Sequence, residues 1–322
     1  MGSRKLIILS SIIAVAVLIA IPIFEPSKYV MHILILVLLN MVLGQSWNLL
    51  GGFAGQISFG HAAMYGIGAY TSTLLYLKVG LSPWIGMVLG GLLASFYAMI
   101  LGYITLRLRG PYFALSTLAS AEVIRLVAQN WDTFTGGDDG LSIHFEIAPR
   151  VVEYFILLGI VIGTILVMHA ISVSRVGYYL SAMREDEDAS RAIGIDVTRY
   201  KVMTLAISAF FAGIGGSFFA SYQLYFNPHV VMTVHTSMQM IFVSIVGGMG
   251  TIIGPIIGAI LLVPIAEIFR VISPTANLLI YGLVIVLVMR FMPEGLVGLG
   301  KRILGLVRKV RDGVVPELSI EG

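Results

Sequence analysis

Cysteine is absent from this sequence. That excludes disulfide staples, thiolate metal sites and cysteine nucleophiles, and it leaves the redox compartment open. Charge is also scarce. Only 11% of the 322 residues are Asp, Glu, Lys or Arg, where a soluble domain carries about 25%. With 58% of residues hydrophobic, lipid would accommodate the chain and water would not. Recognisable catalytic patterns are missing too. There is no HExxH zinc pattern and no GxSxG nucleophile elbow. The six histidines (His32, His61, His144, His169, His229, His235) lack the i,i+4 spacing that sets two ligands on one helix face. Neither a catalytic residue nor a metal site is expected. A lone histidine in a span more often bonds a neighbouring helix than a ligand; His61 draws notice because it lies in a polar, Gly-rich stretch.

One near miss is read as chance, and ATP hydrolysis by this chain alone is not expected. Gly295 to Gly300-Lys301 fits the GxxxxGK part of a phosphate loop, but Arg302 stands where Mg²⁺ binding needs Ser or Thr. The segment also follows a membrane helix, not a strand. No cofactor is therefore expected on this chain, and any ATP and Mg²⁺ belong to a partner.

What the sequence has in abundance is apolar runs of about 20 residues, the length that crosses a bilayer. Candidate spans are 6–24, 30–50, 57–77, 84–106, 112–128, 151–173, 202–222, 237–249, 253–272 and 276–290. The third and eighth are interrupted by glycines and read equally as re-entrant. The expected fold is an all-α integral membrane protein, a polytopic bundle of about eight to ten transmembrane helices. The run from Leu6 to Phe24 after Arg4-Lys5 reads as an uncleaved first helix, because no small-x-small cleavage site follows.

Basic residues orient the set, since Lys and Arg are enriched in short cytoplasmic loops. Arg4 and Lys5, Arg107 and Arg109, the loop 174–201 and the tail from Arg290 onward all fall on one side. The loop 129–150, with Asp132, Asp138, Asp139 and Glu146, falls on the other. Both termini are expected in the cytoplasm. Residues 1–300 read as the membrane domain and 301–322 as a basic tail, whose part 300–312 alternates basic and apolar residues as an interfacial helix does.

Four features stand out within this frame. The charged loop 184–201, REDEDASRAIGIDVTRYK, holds a short helix ending at Gly194, with Ala189, Ala192 and Ile193 on one apolar face. Such a helix suits docking into a soluble partner; a solvated connector is the plainer reading. Glu122 and Arg125 interrupt span five at i,i+3. A charge at mid-bilayer costs at least about 2.5–3.5 kcal/mol, so these residues pair, either to position the helix or to form a gate. Glu267 and Arg270 repeat the spacing in span nine. Two Gly-rich stretches, 51–61 and 247–255, lie one in each half; they fit either close helix packing or broken helices at a substrate path with an internal repeat. Asn48, Gln56 and Ser58 cluster around the first.

The stretches GQSWNLLGGFAGQISFGHAAMYGIGAY (44–70), RGPYFALSTLASAEVIRLV (109–127), TGGDDGL (135–141) and the loop 184–201 resemble permease subunits of bacterial branched-chain amino acid ABC transporters, the LivM type. Related permeases are associated with urea, amides or other small solutes. The resemblance implies an importer in the bacterial inner membrane, and no nucleic-acid partner. Its partners would be a second homologous permease, two cytoplasmic ATP-binding subunits that hold ATP and Mg²⁺, a periplasmic solute-binding protein and the lipid bilayer. The loop about 174–201 then corresponds to the ATPase coupling loop, with Glu185, Asp188, Ala189, Ala192, Ile193 and Gly194 as coupling residues. Asn48, Gln56, Ser58, His61, Glu122 and Arg125 are the candidates for the translocation path or gate. The family's usual Glu-Ala-Ala-xxx-Gly stands here as Asp188-Ala189-Ser190-xxx-Gly194. A secondary transporter working alone remains the rival reading.

Overall fold

The structure is a computed structural model that describes residues 18, 20–24, 26–108, 110–143, 149–272, 282, 283, 286, 290 and 295–299. Most of the expected spans 276–290 and 6–24 lie outside the described residues, as does the tail 301–322.

The long helices are α1 (Lys28–Asn48), α2 (His61–Val79), α3 (Pro83–Thr105), α4 (Pro111–Asn130), α5 (Arg150–Val173), α8 (Val197–Gln223), α9 (Val234–Gly247) and α10 (Ile253–Ile272). Two short helices, α6 (Arg175–Glu185) and α7 (Glu187–Ala192), connect α5 to α8. Local chemistry sets these ends. Pro83 and Pro111 open α3 and α4 in the first turn, where a missing N–H costs nothing. Gly80 closes α2 with φ 74°, a left-handed conformation that glycine accepts without strain. Asp196 caps α8 by accepting from the Arg199 N–H at 3.0 Å.

Six segments among the described residues are long and apolar enough to cross a membrane: Lys28–Phe53, Pro83–Thr105, Arg150–Val173, Val197–Gln223, Pro228–Gly247 and Ile253–Arg270. This is a polytopic, all-helical membrane protein. Helices α2 and α4 match the expected spans 57–77 and 112–128. They run 19 and 20 residues, about 30 Å at 1.5 Å per residue, but polar residues lower their hydropathy. The span expected from residue 57 begins only at His61, because the Gly-rich segment before it is irregular.

Helix α8 is the centre of the bundle, packed along α2, α3 and α1. Small residues permit that approach. A Cβ on Gly216 would lie 1.8 Å from the Tyr65 carbonyl oxygen, and one on Gly68 would lie 2.0 Å from that of Gly213. Helix α1 is the most thoroughly buried of the apolar segments and α5 the least. Apolar side chains on α3, including Val88, Leu92, Phe96 and Ile104, are exposed, as an outer surface facing hydrocarbon requires. At one end of the bundle, strand β1 (Leu141–Ser142) pairs antiparallel with β2 (Tyr225–Phe226). At the other end lie the break after α1, the α5–α8 connection and the turn between α9 and α10.

Candidate coupling and translocation site

The first Gly-rich stretch ends α1 in a π-helical turn, Leu49–Phe53, followed by irregular backbone to Gly60. Non-helical backbone at membrane depth must have its polar groups satisfied by protein, and here side chains do so. The Trp47 indole donates to the Ser58 carbonyl at 2.8 Å. Thr117 Oγ1 accepts from the Phe59 N–H at 3.1 Å. Ser237 Oγ donates to the Phe59 carbonyl at 2.7 Å and accepts from the Ala62 N–H at 2.9 Å. Three helices, α1, α4 and α9, therefore hold one short segment.

The second Gly-rich stretch meets the first in space. Asn48 Nδ2 donates to the Thr251 carbonyl at 2.9 Å, and Asn48 Oδ1 accepts from the Gly250 N–H at 2.8 Å. Gln45 Nε2 donates to the Ile252 carbonyl. A Cβ on Gly52 would sit 2.4 Å from the Gly250 nitrogen, so the two backbones touch. Further along, Gly247 lies against Gly254, where an added Cβ would be 1.8 Å from the carbonyl oxygen. The sequence set packing against path for these stretches; the contacts seen here are packing contacts.

His61 opens α2 and is fully buried. Its Nε2 shares a 2.7 Å hydrogen bond with Ser208 Oγ of α8. Ser208 Oγ also donates to the Ser46 carbonyl at 2.6 Å, and Ser46 Oγ returns a bond to the Ser208 carbonyl at 2.7 Å. Asn48, Ser58 and His61 are thus brought together at one break, each enclosed by protein. Gln56 lies at its edge beside the α5–α8 connection, where it meets Glu187, and is 8% exposed.

Glu122 and Arg125 are not part of this assembly. They form the expected i,i+3 ion pair on α4, toward the opposite end of the bundle. Arg125 Nη1 also donates to Gln129 Oε1 at 3.1 Å and lies 3.3 Å from His229 Nδ1. His229 Nε2 in turn lies 3.0 Å from Asp138 Oδ1 in the TGGDDGL loop. Glu267 and Arg270 pair at 2.8 Å. With no metal cluster among the described residues, these groups read as ion pairs.

The charged loop folds as the pattern predicts. Asp186 Oδ1 accepts from the N–H groups of Asp188 and Ala189 at 2.8 and 3.0 Å, capping α7. The helix stops at Gly194, φ 89°, whose N–H reaches the Arg191 carbonyl at 3.0 Å. Ser190 faces inward and is buried, while Ala189, Ala192 and Ile193 face outward. Ile193 is 76% exposed, so the small apolar face has no cover among the described residues. Glu185 and Asp188 flank it, exposed. Beneath the loop Ala54, Leu180, Met183 and Val197 form a separate small core.

Three participants at this end carry little sequence signal: Arg184, Glu187 and Lys201. Arg184 Nη1 donates to the Gly52 carbonyl at 2.8 Å. Lys201, 1% exposed, is ion-paired with Glu187 Oε1. The same carboxylate oxygen accepts from Gln56 Nε2 at 3.0 Å. Each residue looks like one more charge in a charged loop; only the tertiary contacts set it apart.

Crossing helices with exposed apolar flanks, a buried polar break and an exposed charged helix between α5 and α8 fit a multi-pass membrane protein of the permease class. The family described as "Branched-chain amino acid transport system / permease component" matches residues 29–289, and this chain belongs to that family. It is 31% identical over 303 residues to the "High-affinity branched-chain amino acid transport system permease protein LivM" of Escherichia coli (strain K12), covering 85% of this chain and 71% of that protein. It is 23% identical over 276 residues to the corresponding LivH protein of Salmonella typhimurium, covering 78% of this chain and 89% of that protein. A "Probable branched-chain amino acid transport permease protein LivM" of Methanocaldococcus jannaschii is 22% identical over 311 residues, covering 80% and 90%. No solved structure matches the chain.

Proposed function

We propose that this permease component works as one half of the pore of an ATP-driven importer for branched-chain or related hydrophobic amino acids. In this reading it sits in a bacterial inner membrane with both termini in the cytoplasm. Residues 1–300 form the pore domain, and 301–322 form a basic tail lying against the anionic leaflet. A homologous permease completes the pore. A periplasmic binding protein delivers solute, and two cytoplasmic ATPases bind ATP and Mg²⁺.

The observation that carries this reading is α7. It is a preorganised helix, capped by Asp186 and ended by Gly194, that holds Ile193 76% exposed. An apolar residue fixed in water at a loop tip fits insertion into a groove on a partner. Glu185, Asp188, Ala189, Ala192, Ile193 and Gly194 are proposed as the contact surface. Closure of the ATPases would bias α7, and through it the bundle, between two states. Asn48, Ser58 and His61 would shape the path from behind by fixing the backbone of the break. Glu122 and Arg125 would lie at its outer mouth.

The test is co-purification of the membrane subunits with their ATPases, comparing wild type with Asp188→Arg and Gly194→Pro. Proline cannot adopt φ 89°, so it deforms the tip without touching the membrane core. Both variants are expected to lose the ATPases and ATP-driven uptake. Retention of both by both variants would overturn the docking assignment.

A further inference from the structure

The coupling surface is exposed, yet its root is buried among charges, and that contrast calls for a physical reason. Glu187 is the first residue of α7. Its Oε1 binds the Lys201 ammonium from α8 and the Gln56 amide from the break after α1. One oxygen thus joins three segments. Its other oxygen, Oε2, is buried with no hydrogen-bond partner among the described residues. Arg184, just before the α7 cap, is fastened to the Gly52 carbonyl at 2.8 Å. A Cβ on Gly250 would lie 2.6 Å from Arg184 Nη1, and one on Gly55 would lie 2.9 Å from its Cγ. The guanidinium therefore sits against both Gly-rich stretches at once.

Stability alone does not account for this arrangement. A buried ion pair gives back in desolvation much of what it gains in attraction, and apolar replacements are often as stable. What a charge-assisted bond supplies is direction, since it is short and geometrically demanding. The apolar patch of Ala54, Leu180, Met183 and Val197 beneath the loop would let α7 slide. The bonds from Glu187 and Arg184 would not.

We propose that Glu187, Lys201, Gln56 and Arg184 form a clasp that makes α7, the start of α8 and the two Gly-rich breaks move as one body. They are positioning residues, acting through the backbone of 52–60 and 248–252 and touching neither solute nor nucleotide. Movement of α7 is delivered to the breaks because the clasp has no soft link. The inference rests on the reading that α7 receives the ATPases.

The experiment uses the complete transporter, with both permeases, ATPases and binding protein, in proteoliposomes. ATP hydrolysis and solute uptake are measured in the same vesicles for Lys201→Met, Glu187→Gln, the double variant and Lys201→Arg. The single variants are expected to co-purify with the ATPases and to hydrolyse ATP, while uptake per ATP falls about tenfold, within the usual range of coupling between two sites. The double variant should be no worse than either single one, as members of one unit behave. Lys201→Arg should restore coupling. Variants that assemble and keep wild-type uptake per ATP overturn the clasp. If the charged variants fail to assemble, Gln56→Leu carries the same test, since it removes one neutral partner, and wild-type coupling there overturns the clasp equally. A wild-type permease that never retains ATPases instead overturns the docking reading on which the clasp rests.

Discussion

Replacing Gly194 by alanine isolates one physical effect at the proposed coupling tip. Among the described residues nothing lies within 4 Å of the position a Cβ would take, so the substitution meets no described neighbour. It does place a Cβ on a residue at φ 89°, and left-handed backbone costs an ordinary residue roughly 1–2 kcal/mol. The strain is relieved when the end of α7 frays, releasing the Gly194 N–H from the Arg191 carbonyl and the Ile195 N–H from the Ser190 carbonyl, each 3.0 Å. A helix of six residues is marginal by itself, so this cost shifts its order by a factor of about 5–30. Apparent affinity for the ATPases falls in proportion to the competent fraction. Equilibrium binding of purified ATPases to the permease in lipid nanodiscs reads that change. Gly194→Asn should lose less, because asparagine tolerates the left-handed region better. Thermal unfolding of the membrane domain should not change in either variant. Wild-type affinity for Gly194→Ala would refute the reasoning, since strain is the only effect the substitution introduces.

Other sites give predictions of different sizes. Asp186→Ala removes the acceptor for two α7 N–H groups and should destabilise the helix by about 1 kcal/mol; hydrogen exchange at 188–192 should quicken, with Asp186→Ser close to wild type. Gly216→Ala forces α2 and α8 apart, because the new Cβ would meet the Tyr65 carbonyl at 1.8 Å. A loss of about 1–3 kcal/mol should appear as a lower unfolding temperature in detergent, and an unchanged temperature would contradict the packing described. Asn48→Ala orphans the Gly250 N–H and the Thr251 carbonyl, at about 1–3 kcal/mol for each group left unsatisfied, so thermal stability should fall. Glu122→Gln leaves the Arg125 guanidinium, 17% exposed, without its carboxylate, and a charge within a span is costly unless paired, so the unfolding temperature in lipid should fall.

Much of the membrane architecture was legible before any coordinates. The span expected at 253–272 is α10 to the residue, that at 84–106 is displaced from α3 by one position at each end, and that at 151–173 differs from α5 by one position at its start. Hydrophobic length and proline or glycine at the boundaries are local signals, so sequence carries them well. The Glu122–Arg125 and Glu267–Arg270 pairs were legible for the same reason, since i,i+3 spacing dictates the contact. Contacts between distant segments were not. Nothing in the sequence shows that Gly52 abuts Gly250, or that Lys201 pairs with Glu187, whose same oxygen meets Gln56, 131 positions before it in the chain. A run of like-looking charges at 184–201 hides which member points inward. The start of α2 was displaced for a similar reason. Residues 57–60 are apolar enough to look helical, but Trp47, Thr117 and Ser237 capture their backbone groups instead.

The central claim is that the driving force enters from another chain through α7. The direct measurement is solute uptake into proteoliposomes containing this permease and its partner permease, with and without the ATPases and ATP. Uptake is expected only when ATPases, ATP and Mg²⁺ are all present, and it should vanish with Gly194→Pro. Uptake by the two permeases alone, driven by an ion gradient, would contradict the account.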